Sequence, residues 1–318
     1  MSGARVVELE PVASVVQRLA VLLAAGVTPA SGWGYLAEVD GPAAARLRAI
    51  ADAVGSGETI ADAIIATGPR AASRSSSRVP AAPDAAAWRG LAAAWFVATD
   101  AGAPLAPSLR DFATSLRALA QTQRELRVAI AAPAATARMV MTLPVVGVLF
   151  GVVLGFDTLG TLFTTAPGLV CLGLGVVLML TARAWNRALV ASARPRRLTP
   201  GLTLDLMAIA VCGGASLPRA TAIVAEARER CGIEDDGADA QIAEVLALSS
   251  RAGVPAAALL RSEAEEARRD ARSIGERKAA TLAVTLMLPL GLCILPAFML
   301  LGVAPLLIAV ISSTVANI

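Results

Sequence analysis

Along this chain, stretches with apolar residues at helical spacing alternate with stretches that almost nothing polar interrupts. From Met139 to Ala182, 44 residues carry a single charge, Asp157. The stretch divides into Met139–Phe156, a short break around Asp157-Thr158-Leu159-Gly160, and Thr161–Ala182. A helix rises about 1.5 Å per residue, so roughly 20 apolar residues cross a hydrocarbon core of about 30 Å. Each half meets that length, and in lipid a helix satisfies its own backbone hydrogen bonds. The pattern predicts a transmembrane hairpin over 139–182. A second stretch, Ala279–Ile318, has 40 residues without a charge. It predicts one long span to Leu301, a break at Gly302 and Pro305, and a short returning span over Pro305–Val315, about four spans in all.

The remaining stretches show the 3.6-residue period of amphipathic helices. In residues 1–138, Val15, Leu19, Leu22 and Leu23 form one stripe, and Gly26 and Pro29 mark the turn that follows. Helices carrying Trp33, Tyr35 and Leu36, then Leu47, Ile50 and Val54, come next, followed by a short helix after Gly55-Ser56-Gly57. Residues of about 68–84 are rich in Pro, Ser, Ala and Arg with little to bury, which reads as a flexible loop. Trp88, Leu91, Trp95 and Phe96 resume the pattern up to Gly102 and Pro104. A long helix from Leu105 to about Ile130 then buries Leu109, Phe112 and Leu116, with Pro133 marking the junction with the membrane. Its arginines Arg110, Arg117 and Arg124 face away from that stripe and are candidate partner contacts. Residues 183–278 show the same alternation of helices and turns. A helix near Leu202–Val211 leads to a turn at Gly214 and Pro218, and further helices lead to a turn at Gly253 and Pro255 before a strongly charged helix.

Charge sets the orientation. Arg138 on one outer flank of the hairpin, and Arg183, Arg187, Arg194, Arg196 and Arg197 on the other, contrast with Asp157 alone in its loop. That is the positive-inside pattern, so both large soluble parts are expected in the cytoplasm of a multi-pass plasma (inner) membrane protein. The first apolar stretch, Val12–Val27, is interrupted by Gln17 and Arg18, unlike the core of a signal peptide. A net charge of +3 gives no argument for nucleic acid.

The absence of histidine removes Ser-His-Asp and Cys-His catalysis and most zinc sites. Cys171, Cys212, Cys231 and Cys293 form no CxxC pair, and no Gly-x-x-x-x-Gly-Lys-Ser/Thr phosphate loop occurs. Neither catalytic residues nor a metal or cofactor site is expected. Gly147, Gly151 and Gly155 recur at every fourth position of the first span, a spacing that lets helices approach closely.

One arrangement occurs twice: helix, Gly-x-Pro turn, amphipathic helix, basic cluster, proline-containing span. Ala101-Gly102-Ala103-Pro104 through Arg110 leads to Arg138 and a span with Pro144, and Ala252-Gly253-Val254-Pro255 through Arg261 leads to Arg277-Lys278 and a span with Pro289. With the stretches "AAGVTP", "GSGETIADAI", "AGAPLAPSLRDFA" and "LPLGLCILPAFMLLGVAPLL", the chain resembles the type II secretion system F family. More narrowly it resembles the platform proteins TadB and TadC of the Tad (Flp) pilus machinery. The resemblance implies an all-α protein with two cytoplasmic helical bundles, 1–138 and a shorter 183–278, joined to membrane helices at 139–182 and 279–318. It further implies a non-enzymatic inner-membrane platform on which a separate cytoplasmic ATPase assembles a pilin or pseudopilin. Such a platform acts as a homo-oligomer or with a paralogous partner. A transporter or permease-like component is the alternative reading, although the spans offer no ionisable group at mid-membrane.

Overall fold

The structure, a computed structural model, describes residues 9–68, 83–153, 158–193, 199–305 and 307–308. Among them every regular element is helical. The chain divides into two compact units: residues 1–123 with 196–272, and residues 124–195 with 273–318.

The first unit begins with α1 (Leu9–Ala24), α2 (Pro29–Ala37), α3 (Ala44–Gly55) and α4 (Ile60–Ala66), which follow the amphipathic stripes of the sequence. It continues with α5 (Pro83–Ala101) and the first part of α6 (Leu105–Met141). Its later helices are α10 (Leu202–Cys212), α11 (Leu217–Cys231), α12 (Asp239–Ala252) and the first part of α13 (Ala256–Thr285). The two soluble stretches, expected as separate bundles over 1–138 and 183–278, thus share one unit and one continuous buried core.

The reason lies in two helices that are apolar on nearly every side. In α10, Leu202 to Ala210 are all buried except Asp205, and in α5 the burial includes Trp88, Leu91, Trp95 and the alanines between them. A helix without a polar face has to be covered all round. The second stretch supplies too few helices for that, and α10 and α11 pack on α5 instead. Trp33 of α2 is buried against Trp95 at a ring-centroid distance of 6.1 Å, in the tilted geometry aromatic pairs prefer.

The turns are cut as the glycines and prolines dictate. Gly26, Gly102, Gly214 and Gly253 all have positive φ (88°, 73°, 84° and 67°), where a Cβ would be strained. Pro29 opens α2, Pro218 lies in the first turn of α11, and Pro104 and Pro255 immediately precede α6 and α13. At Gly213 the reason is space. A Cβ there would overlap the carbonyl oxygen of Ala101 and lie 2.7 Å from its carbon, so the α10–α11 turn rests on backbone at the α5–α6 turn.

In the second unit, α7 (Leu143–Val153), α8 (Thr158–Thr164) and α9 (Ala166–Ala193) are followed by the C-terminal stretch that continues α13. Two helices among the described residues are long and apolar enough to cross a membrane, Ala166–Leu189 and one within Ala256–Val303. Four spans were expected. In the first, α6 ends at Met141 and α7 covers 11 residues, Leu143–Val153; of the expected break at Asp157–Gly160, Thr158 to Gly160 are instead the start of the helix α8; Asp157, Gly155 and most of the short last span lie outside the described residues, as does nearly all of the 68–84 loop.

Two expected boundaries move. Pro133 does not end α6, which runs 37 residues to Met141. One proline removes one hydrogen bond, and the flanking Ala131, Ala132, Ala134 and Ala135 are the strongest helix formers. The break comes at Thr142, ahead of Pro144. The helix also does not stop at Gly302: it widens into π-helical segments at Leu290–Ile294 and Met299–Val303. Each of these ends two residues before a proline, Pro296 or Pro305. A proline ring crowds the carbonyl four residues back and offers no N–H, and a wider turn lets the backbone pair again, as Ala304 N–H does with the Met299 carbonyl.

Candidate interaction surfaces

The strongest polar site of the first unit is built on the one charge of α10. Asp205 follows Leu202-Thr203-Leu204 in a helix whose neighbours on the chain are all buried. Its Oδ2 accepts from Arg268 Nη1 of α13 at 2.8 Å and from the Ser115 hydroxyl of α6 at 3.4 Å. Both members of the ion pair are largely shielded, with side chains 13% and 16% exposed. Burial pushes the Asp205 carboxyl up to about 6, against the opposing pull of Arg268. Seven residues away on each of α10 and α13 a second rung forms: Arg261 pairs with Asp111 of α6 at 3.1 Å and reaches Cys212 Sγ at 3.4 Å. Three helices are therefore tied by a polar seam that runs from a shielded ion pair at Asp205 to an exposed one at Arg261. Its signal in the sequence was a single acid in an otherwise apolar helix, which periodicity counts as a flaw in the pattern and not as a site.

A second polar link joins distant parts of the same unit. Asp62 of α4 is held by the Thr59 hydroxyl at 2.6 Å and by Arg230 of α11 at 2.9 and 3.1 Å. The Thr59 hydrogen bond first, and Arg230 after it, keep the Asp62 carboxyl below its usual range. Arg230 also lies over the Phe96 ring at 4.8 Å. Arg46 stacks on Trp88 at 4.6 Å, and burial lowers the pKa of its guanidinium despite Asp84. Beside α1, a cleft of about 240 Å³ has a floor of Val15, Leu36 and Leu47 and a rim that includes Glu10, Arg18 and Asp40.

The arginines singled out in the sequence, Arg110, Arg117 and Arg124, are exposed on α6. Their seven-residue spacing keeps them near one face of the helix. Arg117 Nη1 reaches Gln17 Oε1 of α1 at 3.5 Å, and Arg124 is engaged as well. No pocket or buried cluster among the described residues gathers the three.

Of the glycine series, Gly147 makes a close helix contact. A Cβ on it would lie 2.9 Å from the Phe298 ring and 3.4 Å from Gly302 Cα. Gly151 lies within α7. A glycine the fourfold spacing did not point to is tighter still: a Cβ at Gly175 of α9 would sit 2.5 Å from Leu301 Cγ. All four cysteines are free, and burial raises the Cys231 thiol to about 11, away from nucleophilic use. Among the described residues no three His, Cys, Asp or Glu side chains are grouped to hold a metal ion.

Residues 15–153 match the family model described as type II secretion system (T2SS), protein F. The matched region starts in α1 and ends with α7, under half of the 318-residue chain. No curated protein matches the chain.

Proposed function

We infer that this chain is an inner-membrane platform protein of a secretion or pilus machine. The observation that carries this is the match to type II secretion system protein F over α1 to α7, joined to helices apolar enough to cross a membrane. Within that reading the first unit is cytoplasmic, and the arginines flanking 139–182 support its orientation. The protein performs no chemistry of its own. A cytoplasmic ATPase supplies the work through protein contacts, and a pilin or pseudopilin with an apolar helix meets the spans. The finer assignment is to a Tad-like pilus system. Its support is the Gly-Pro turn pattern shared by the two halves and the sequence stretches that carry it, which also suggest an internal duplication. The α6 arginines are the proposed ATPase-facing stripe. Gly151 is a proposed point of close approach for a partner helix, Gly147 being filled by Phe298.

Deleting the chain in its native host tests this. Surface pili or secreted substrate should disappear and return when the wild-type chain is supplied. Unchanged pili and secretion in the deletion strain would overturn the reading.

A further inference from the structure

The second unit sets two positive charges beside a helix that stays apolar well past them. In α9, Ala182 packs with Cys293 and Ile294 of the C-terminal helix, and two turns earlier Gly175 meets Leu301. The two helices are therefore antiparallel. Arg183 stands level with Cys293, and Arg187 one turn further along, towards the contact of α9 with Met287–Pro289. The charge-free part of the C-terminal helix begins after Lys278, roughly 22 Å of helix before Cys293. Along that length Val284, Met287, Leu288 and Leu292 share one face and are 60–69% exposed. The exposed apolar belt of α9, Leu169 to Leu180, instead stops short of Arg183, Trp185 and Arg187, which are themselves exposed. The two belts are thus out of step. Nothing in the unit neutralises the arginines. Its acidic side chains are Glu125, Asp157 and Glu276. Asp157 precedes α9, at the end away from Arg183, and Glu125 and Glu276 are engaged elsewhere.

We propose that Arg183 and Arg187 hold the phosphate of an anionic phospholipid whose acyl chain covers the exposed strip from Val284 to Leu292. The inference rests on the reading of both helices as membrane spans, and not on which machine the chain serves. An unpaired arginine in hydrocarbon and an apolar strip in water are each unfavourable. A flat membrane boundary cannot avoid both here. Drawn at Lys278, it leaves the two arginines deep in the hydrocarbon; drawn at Arg183, it leaves Val284, Met287 and Leu288 in water. One lipid bound against this pair of helices answers both. Arg183 and Arg187 are four residues apart on one face of α9, and guanidinium forks take phosphate oxygens two at a time. Their long side chains reach towards the headgroups while the stems stay against apolar surface. Trp185, at the same level, has the amphipathic ring that sits at the headgroup boundary. A zwitterionic headgroup would leave two cations uncompensated, so an anionic one is favoured. Free phosphate would leave the strip uncovered, so the occupant is a lipid.

Native mass spectrometry of the full chain in detergent, titrated with phosphatidylglycerol or phosphatidylcholine of matched acyl chains, tests this. The chain should first be recovered from the membrane fraction of its host; recovery from the soluble fraction would overturn the membrane reading and this inference with it. The wild type should bind phosphatidylglycerol about tenfold more tightly than phosphatidylcholine. Arg183→Gln with Arg187→Gln should abolish that preference and leave phosphatidylcholine binding as it was, which also shows that the variant is folded. Arg277→Gln with Lys278→Gln removes the same charge elsewhere in the unit and should keep the preference. Leu288→Asn should weaken both lipids alike, and inorganic phosphate should displace neither. A wild type without preference would leave the arginines to an acidic protein partner and overturn the proposal. So would a preference that survives loss of Arg183 and Arg187, an equal loss in the Arg277 and Lys278 variant, unaltered binding in Leu288→Asn, or displacement by inorganic phosphate.

Discussion

At the scale of single residues, the fold rests on a few positions where side-chain size or charge leaves no latitude. Gly213 and Gly26 separate two kinds of glycine. Gly26 has open space around it and needs only its positive φ, so Gly26→Ala should cost about 1 kcal/mol. Gly213 has an ordinary φ and no room, since a methyl would press on the Ala101 carbonyl. Gly213→Ala should cost about 1–3 kcal/mol, because backbone has to shift. Thermal melts of the two variants check the order. Charge gives the second prediction. Breaking the buried pair by Arg268→Met should cost about 3 kcal/mol at pH 8, where the carboxyl is left desolvated and alone, and less at pH 5, where it takes up a proton. The joint change Asp205→Leu with Arg268→Met removes both charges and should recover most of that loss. Equal stability of the single and double variants at pH 8 would contradict this account of the seam.

The helices themselves were legible in the sequence because their stripes are regular. Val15 and Leu19, Leu47 and Ile50, Leu109 and Leu116 are buried as their spacing requires. What was not legible is how helices share their faces. Both α5 and α10 lack a polar side, and nothing in a linear pattern says which neighbour will cover them. Asp205 escaped notice for the same reason, since its partners lie 90 and 63 residues away along the chain. Proline was over-read as a terminator at Pro133, which passes within α6, and at Pro305, which is preceded by a wide turn like the one before Pro296. Those turns yield a prediction for the C-terminal helix. Pro296→Ala restores the missing N–H, and contraction of the wide turn would rotate the residues beyond it by about 100°. Phe298 and Leu301 would leave Gly147 and Gly175, lowering the melting temperature in detergent by the loss of about 1–3 kcal/mol. An unchanged melting temperature would count against a packing role for the widened turns.

For the whole molecule, the shared core of the first unit changes what can be separated. The stretches 1–123 and 196–272 each bury residues against the other, with Trp33, Trp95, Leu206 and Met207 in one cluster. Expressed alone, either should remain unfolded by far-ultraviolet circular dichroism and proteolysis; expressed together, they should form a protease-resistant pair. Orientation is tested by fusions: a reporter active only outside the cytoplasm should work at Gly160 and be silent at Ala238. The claim on which the functional reading turns is that this helical unit receives work from an assembly ATPase. Co-purification of the cognate ATPase with the full chain in detergent tests it, beside a variant in which Arg110, Arg117 and Arg124 are changed together to Glu. Interface energy concentrates in few residues, so the triple change is expected to leave the protein inserted while reducing ATPase capture at least tenfold. No ATPase captured by the wild-type chain, under conditions where it remains folded, would contradict the account.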